Sequence, residues 1–351
     1  MQYNNNTAIY LKNFILSKKV DKSELMNYNM INISPRPLKH LTRCFMHTWG
    51  RSVFRGNLFV AEKDFKTIDE QIDILESRGL KIEDKNKAKM FLKRNNYYRI
   101  SGYSLTLRDH DVFSPMATFQ NIIDIYEFDH EFRHILLKYL EIIEVTVKSV
   151  FSYHFTKVYG PTGYLDENNF TDINKHDEII KKAEAQKTSR LPHEAYLKHF
   201  VNELNQNIPL WAYVDLLTIS DISFLYKIAP TGIKEVVANE LNLNNKGAEL
   251  LEHFMHRLTI IRNLCAHGSR LYNRLFEQKP RLSKTEKQLL IKDTDGNLDN
   301  SHLYGYIIIM KRLLGASEFE NMKSEVIQLS KKYPFVQMKY YGFRDDWITN
   351  L

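Results

Sequence analysis

Thirteen residues, RNLCAHGSRLYNR from Arg262 to Arg274, hold the densest chemistry in this 351-residue chain. They set an arginine, an amide and a histidine within six positions, then add Arg270 and Arg274. A guanidinium offers phosphate a planar fork of donors and stays charged at any working pH. An imidazole titrates near neutrality and can take or give a proton. The combination suits metal-free cleavage of RNA, in which a ribose 2′-OH attacks its own neighbouring phosphate. That step needs a base for the hydroxyl proton, an acid for the leaving 5′-oxygen and positive donors for the equatorial oxygens. His267 can fill either proton role, arginine can hold the phosphate, and Asn263 can hydrogen-bond the backbone or orient His267. One motif supplies one histidine, so a separate acid and base require two protomers, and a homodimer is expected.

The elements that must position these groups read as helices. Placed at 100° per residue, Phe254, Leu258, Ile261, Cys265, Gly268, Tyr272 and Leu275 form a buried seam on a helix predicted over 246–275. Asn263, His267, Arg270 and Arg274 line up across from it, with Arg262 one residue back. The alternative reading has the arginines and histidine capping neighbouring helices or binding surface carboxylates.

Charge supports a polyanionic partner. The net charge is +7, but residues 1–64 carry +6 and residues 256–284 another +6, so the remainder sums to −5. A concentrated basic field around the motif favours RNA; the plainer possibility is a solvated basic face. Aromatics are abundant, 20 Phe and 20 Tyr, and at helical spacing they serve as core more often than as base-stacking platforms.

With 43% hydrophobic residues, only nine prolines and thirteen glycines, and no alternating apolar runs, the expected class is all-α, an irregular helical bundle. An all-β or doubly wound fold is not expected. Two cysteines, Cys44 and Cys265, make neither a disulfide framework nor a zinc cage and read as reduced thiols. Neither a signal peptide nor a spanning segment is evident, so a cytoplasmic protein without membrane contact is expected. Walker and dinucleotide motifs are absent, and no cofactor or metal is expected. His253 and His256 share a helix at i,i+3 but lack further ligands. His110, between Asp109 and Asp111, reads as a solvated turn residue.

Residues 1–63 read as a basic N-terminal extension, partly ordered at best, and 64–348 as one helical domain. Thr67-Ile68-Asp69-Glu70 is a capping box, Gly79 a helix stop and Asp84 a second cap. Residues 95–103 read as a polar aromatic turn. The longest pattern runs from Phe119 to Val158, with a seam of Ile122, Ile125, Phe132, Leu136, Leu140, Ile143, Val147 and Val150. Shorter helices are predicted at 174–187, 193–206, 210–228, 232–241, 300–314 and 317–332.

Arg262-Asn263-x-x-x-His267 resembles the R-N-x-x-x-H signature of HEPN-domain ribonucleases. The wider text resembles the Abi-like family of bacterial abortive-infection proteins, the AbiD/AbiF group. The matching stretches are FKTIDEQIDILESRGLKI (65–82), NNYYRISGYSL (95–105), FDHEFRHILLKYLEIIE (128–144), IRNLCAHGSRLYNRLF (261–276) and YYGFRDDW (340–347). The resemblance implies a HEPN core, metal-independent endoribonuclease activity and a role in anti-phage defence or toxin–antitoxin control, in some relatives alongside a small non-coding RNA. By motif position it makes Arg262 and His267 catalytic and Asn263 their orienting partner. It also asks for an acidic or polar residue from an earlier helix, for which Glu141 and Glu144 are candidates, although Glu144 can equally pair with Lys148. Arg270, Arg274 and Arg257 are candidate RNA contacts. Two other functions compete: a catalytically silent module that holds a regulatory RNA, and a helical scaffold that senses a phage protein without touching RNA.

Overall fold

The computed structural model describes residues 64–350 apart from Asn245. The basic extension over 1–63, with Cys44 in it, lies outside the described residues. The architecture is all-α, a bundle of fourteen helices among the described residues with one two-stranded hairpin.

The first helix, α1 (Ile68–Ser77), opens on the Thr67–Glu70 capping box, and α2 (Lys85–Asn95) opens on Asp84. The stretch read as a turn instead coils into a short helix, α3 (Tyr97–Ser101), because the Asn96 side chain accepts the Tyr98 N–H. Asn96 itself sits at a positive φ of 64°. A hairpin the sequence did not announce, β1 (Arg108–Asp109) and β2 (Val112–Phe113), turns through His110 and Asp111. It ties back to the end of α1 through Phe113 N–H to Arg78 O at 2.8 Å.

The axis of the bundle is α4 (Phe119–Tyr159), 41 residues capped by Thr118 and stopped at Gly160. Its apolar residues recur every three or four positions, so one stripe faces inward along its whole length. Seven of the eight residues read as its seam are buried; Val150 is half-buried and Phe151 is sealed beside it. Each fully buried Phe or Leu here contributes about 2 kcal/mol of transfer free energy.

Then follow α5 (Ile173–Arg190), α6 (Ala195–Lys198), α7 (Leu210–Tyr213), α8 (Ile219–Ile228) and α9 (Thr231–Glu240). The helix expected over 210–228 is broken, because Thr218 forms a fresh capping box with Asp221. Next come α10 (Gly247–Ala266), α11 (Lys284–Lys287), α12 (Tyr304–Leu313), α13 (Ala316–Lys332) and α14 (Trp347–Asn350). α10 packs on α4, α8 and α9, and α13 packs on α4. No helix among the described residues is long and apolar enough to cross a membrane.

Candidate functional site

Helix α10 carries the motif to its last turn. Leu251, Phe254, Met255, Leu258, Ile261 and Cys265 are buried against the bundle, which turns Arg262 and Asn263 toward the rim. Burial pushes the Cys265 thiol up to about 12, so it is an unreactive apolar filler.

The helix ends at Ala266, nine residues earlier than the apolar rhythm predicts. Gly268 takes φ +63°, its N–H donates to Cys265 O at 3.1 Å, and Ser269 N–H donates to Leu264 O at 2.8 Å. These are the paired bonds of a Schellman stop. Gly268 was read as a seam position, but it is the residue that ends the helix. The expected stripe of Asn263, His267, Arg270 and Arg274 on one helical face therefore does not exist. Leu275, also placed in the seam, is 59% exposed.

The stop sets His267 at the helix cap, where its side chain is exposed and its N–H donates to Asn263 O at 2.9 Å. One residue back from Asn263, the Arg262 guanidinium donates to Asn263 Oδ1 at 3.4 Å. Asn263 thus joins the two: its backbone carbonyl holds His267, while its side chain holds Arg262 rather than the imidazole. Arg262 Nε also lies 3.6 Å from Glu144 Oε2 on α4, and the same carboxylate pairs with Lys148 at 2.9 Å. Glu144 therefore forms the expected i,i+4 pair with Lys148 and also faces the motif arginine. Glu141 points to solvent, so of the two candidate acids Glu144 is the one brought to the motif.

The other candidate arginines lie apart from the Arg262–Glu144 pair. Arg270 donates to the main-chain carbonyls of Tyr272 and Asn273 and packs against Gly102, where an added Cβ would come within 3.1 Å of its Nε. Arg274 is half-buried, and burial with the nearby Arg270 charge lowers its pKa. Arg257 lies about 140° around the helix from Arg262 and lines a separate cavity with His253, His256 and Arg281.

Two residues that the motif reading passed over hold the site together. Arg99, from α3, donates to Gly268 O, clamping the carbonyl of the helix stop, and its guanidinium lies 5.7 Å from the Tyr126 ring on α4. Asp129 is fully buried and paired with Arg133 one turn on. Its carboxylate accepts Tyr103 Oη at 2.8 Å, Tyr341 Oη at 3.0 Å, Tyr272 N–H at 2.9 Å and Leu271 N–H at 3.2 Å. Burial, then the Asp129 charge, raises the pKa of both phenols, so they remain neutral donors. Four of the five sequence stretches quoted above meet at this one carboxylate. An aspartate and an arginine at i,i+4 between Phe128, Phe132 and Leu136, inside an apolar seam, were the signal available for it.

The family model described as Abi-like protein matches residues 90–273. The chain belongs to the Abi-like protein family. No curated protein and no solved structure matches it. Membership points to abortive-infection defence. The matched span contains Arg99, Asp129, Glu144, Arg262 and His267, whereas the resembling stretches at 65–82 and 340–347 fall outside it. In this Abi-like protein, then, the helix stop, the clamp on it and the exposed imidazole all lie within the segment that defines the family.

Proposed function

We propose that this chain is a HEPN-type endoribonuclease acting in abortive infection or toxin–antitoxin control. The observation that carries the reading is the exposed His267 at the rigid end of α10, tied through Asn263 to the partly exposed guanidinium of Arg262. An RNA phosphate received by Arg262 has its negative charge met by a fixed donor fork. The 2′-oxygen attacks phosphorus as His267 takes its proton, the 5′-oxygen departs with a proton from a donor acid, and a 2′,3′-cyclic phosphate and a 5′-hydroxyl result. The fixed positive charge of the Arg262 guanidinium offsets the charge that develops on the phosphate oxygens. His267 of a second copy is the candidate for the donor acid, so activity is expected from a homodimer.

The test is cleavage of single-stranded RNA in the presence of a chelator, with product ends identified chemically. Arg262→Ala and His267→Ala should each lower the rate by a hundredfold or more with an unchanged melting curve. RNA decay that persists in either variant would remove the assignment.

The single imidazole in the motif supports a second reading, a module that grips a small regulatory RNA without cutting it. In that case Arg262→Ala would weaken RNA binding and flatten its salt dependence, while His267→Ala would change nothing.

A further inference from the structure

On the side of α10 away from the motif lies an open cavity of about 330 Å³. Its basic end is made by Arg257 and Arg281, and neither guanidinium forms an ion pair with a carboxylate among the described residues. Arg257 reaches only neutral acceptors, Gln278 Oε1 at 2.7 Å and Lys279 O at 3.4 Å. Burial and then the neighbouring Arg281 charge depress its pKa, although Tyr306 opposes this. His253, whose Nε2 accepts the Arg281 N–H at 3.0 Å, is held neutral by burial and by Arg257, Arg281 and His256. Burial is the first cause of both shifts, and like-charged neighbours add to it.

The other end carries two carboxylates, with Lys227 beside them. Glu249 and Glu252 lie on the first turns of α10, and Glu252 stands 3.9 Å from Lys227 and 3.8 Å from Lys234. From Glu249 to Arg257 the helix rises about 12 Å. An occupant must therefore carry an anion at one end and hydrogen-bond donors at the other, across roughly that span.

We infer that this cavity is a nucleotide site, in which Arg257 and Arg281 hold a phosphate ester and the acidic end receives sugar hydroxyls or an exocyclic amine. The ligand chemistry is a nucleoside monophosphate, delivered either free or as one unit of an RNA strand. The inference is independent of the motif reading, because neither Arg262 nor His267 lines the cavity.

Calorimetric titration of the full chain tests it, using the four ribonucleoside 5′-monophosphates, inorganic phosphate and a short single-stranded RNA as separate probes. Arg281 is surface-exposed, so Arg281→Gln leaves packing intact; Arg257→Gln is the second variant. Saturable binding of a monophosphate, tighter than that of inorganic phosphate and at least tenfold weaker in Arg281→Gln, is expected. Binding of the RNA alone, weakened by both cavity variants, would assign the strand as the source of the phosphate. No saturable binding of any nucleotide probe, equal affinity for inorganic phosphate, or indifference to both variants overturns the inference.

Discussion

Asp129 and Tyr272 are 143 residues apart in sequence, yet the Asp129 carboxylate accepts the Tyr272 main-chain N–H at 2.9 Å. The loop that follows His267 is therefore held by a charge inside the bundle, and the adjoining Leu271 amide is held by the same group. Removing the carboxylate leaves Arg133 buried and unpaired and two amides without an acceptor. Asp129→Ala is expected to cost about 3–5 kcal/mol, read as a shifted midpoint in urea unfolding. A loss under 1 kcal/mol would show that the loop is fixed by other means.

Gly268 supplies a second handle on the same loop. Its φ of +63° and the 3.3 Å approach of Arg99 Nη2 to the position of a Cβ leave little room for a side chain. Gly268→Ala should destabilise by about 1–2 kcal/mol, seen in thermal melting. Under the nuclease proposal its cleavage rate should fall further than stability accounts for, since the His267 cap is displaced. Equal stability and rate to wild type would mean that the stop tolerates an L-residue.

Glu144 connects α4 to the motif. Replacing it with Gln keeps the shape but removes the charge that faces Arg262 at 3.6 Å and Lys148 at 2.9 Å. The freed guanidinium should lose its fixed direction, lowering cleavage by about tenfold, equivalent to roughly 1.4 kcal/mol of transition-state stabilisation. A rate equal to wild type would reduce Glu144 to a partner of Lys148.

Acid should loosen the molecule through His253. Its pKa is lowered to about 4 by burial and then by Arg257, Arg281 and His256, against about 6.5 in an unfolded chain. The unfolded state therefore binds the proton first. The stability tied to neutral His253 is present in full above pH 6.5 and drains away as pH falls toward 4. Because the ring is only partly buried, the screened effect is on the order of 1 kcal/mol. His253→Gln should flatten this part of the stability–pH curve; an unchanged slope would place the titration elsewhere.

Local signals reported local structure well. Thr67 with Glu70, Asp84, and the Phe119–Val158 periodicity are decided by neighbours within a few positions, and each forms as expected, the long helix running one residue further. The adjacency of Arg262, Asn263 and His267 is equally local. The course of the chain after His267 is not. It depends on Arg99 and Asp129, which lie 169 and 142 residues away from Gly268 and Leu271, and no periodicity at the motif encodes them. Gly268 was legible as a stop from its type alone, but its fit to an apolar rhythm hid it. Arg257 is grouped by the sequence with Arg270 and Arg274 as a candidate RNA contact; the cavity that it lines, about 140° around α10 from Arg262, is not legible there.

The five groups gathered on Asp129 also impose an order on biosynthesis. Asp129 leaves the ribosome 212 residues ahead of Tyr341, and Leu271 and Tyr272 emerge between them. A nascent chain halted short of Tyr341 carries the whole motif but lacks the last donor to the carboxylate that anchors it. The segment around His267 thus reaches its final set of bonds only once Tyr341 has been synthesised and has met Asp129.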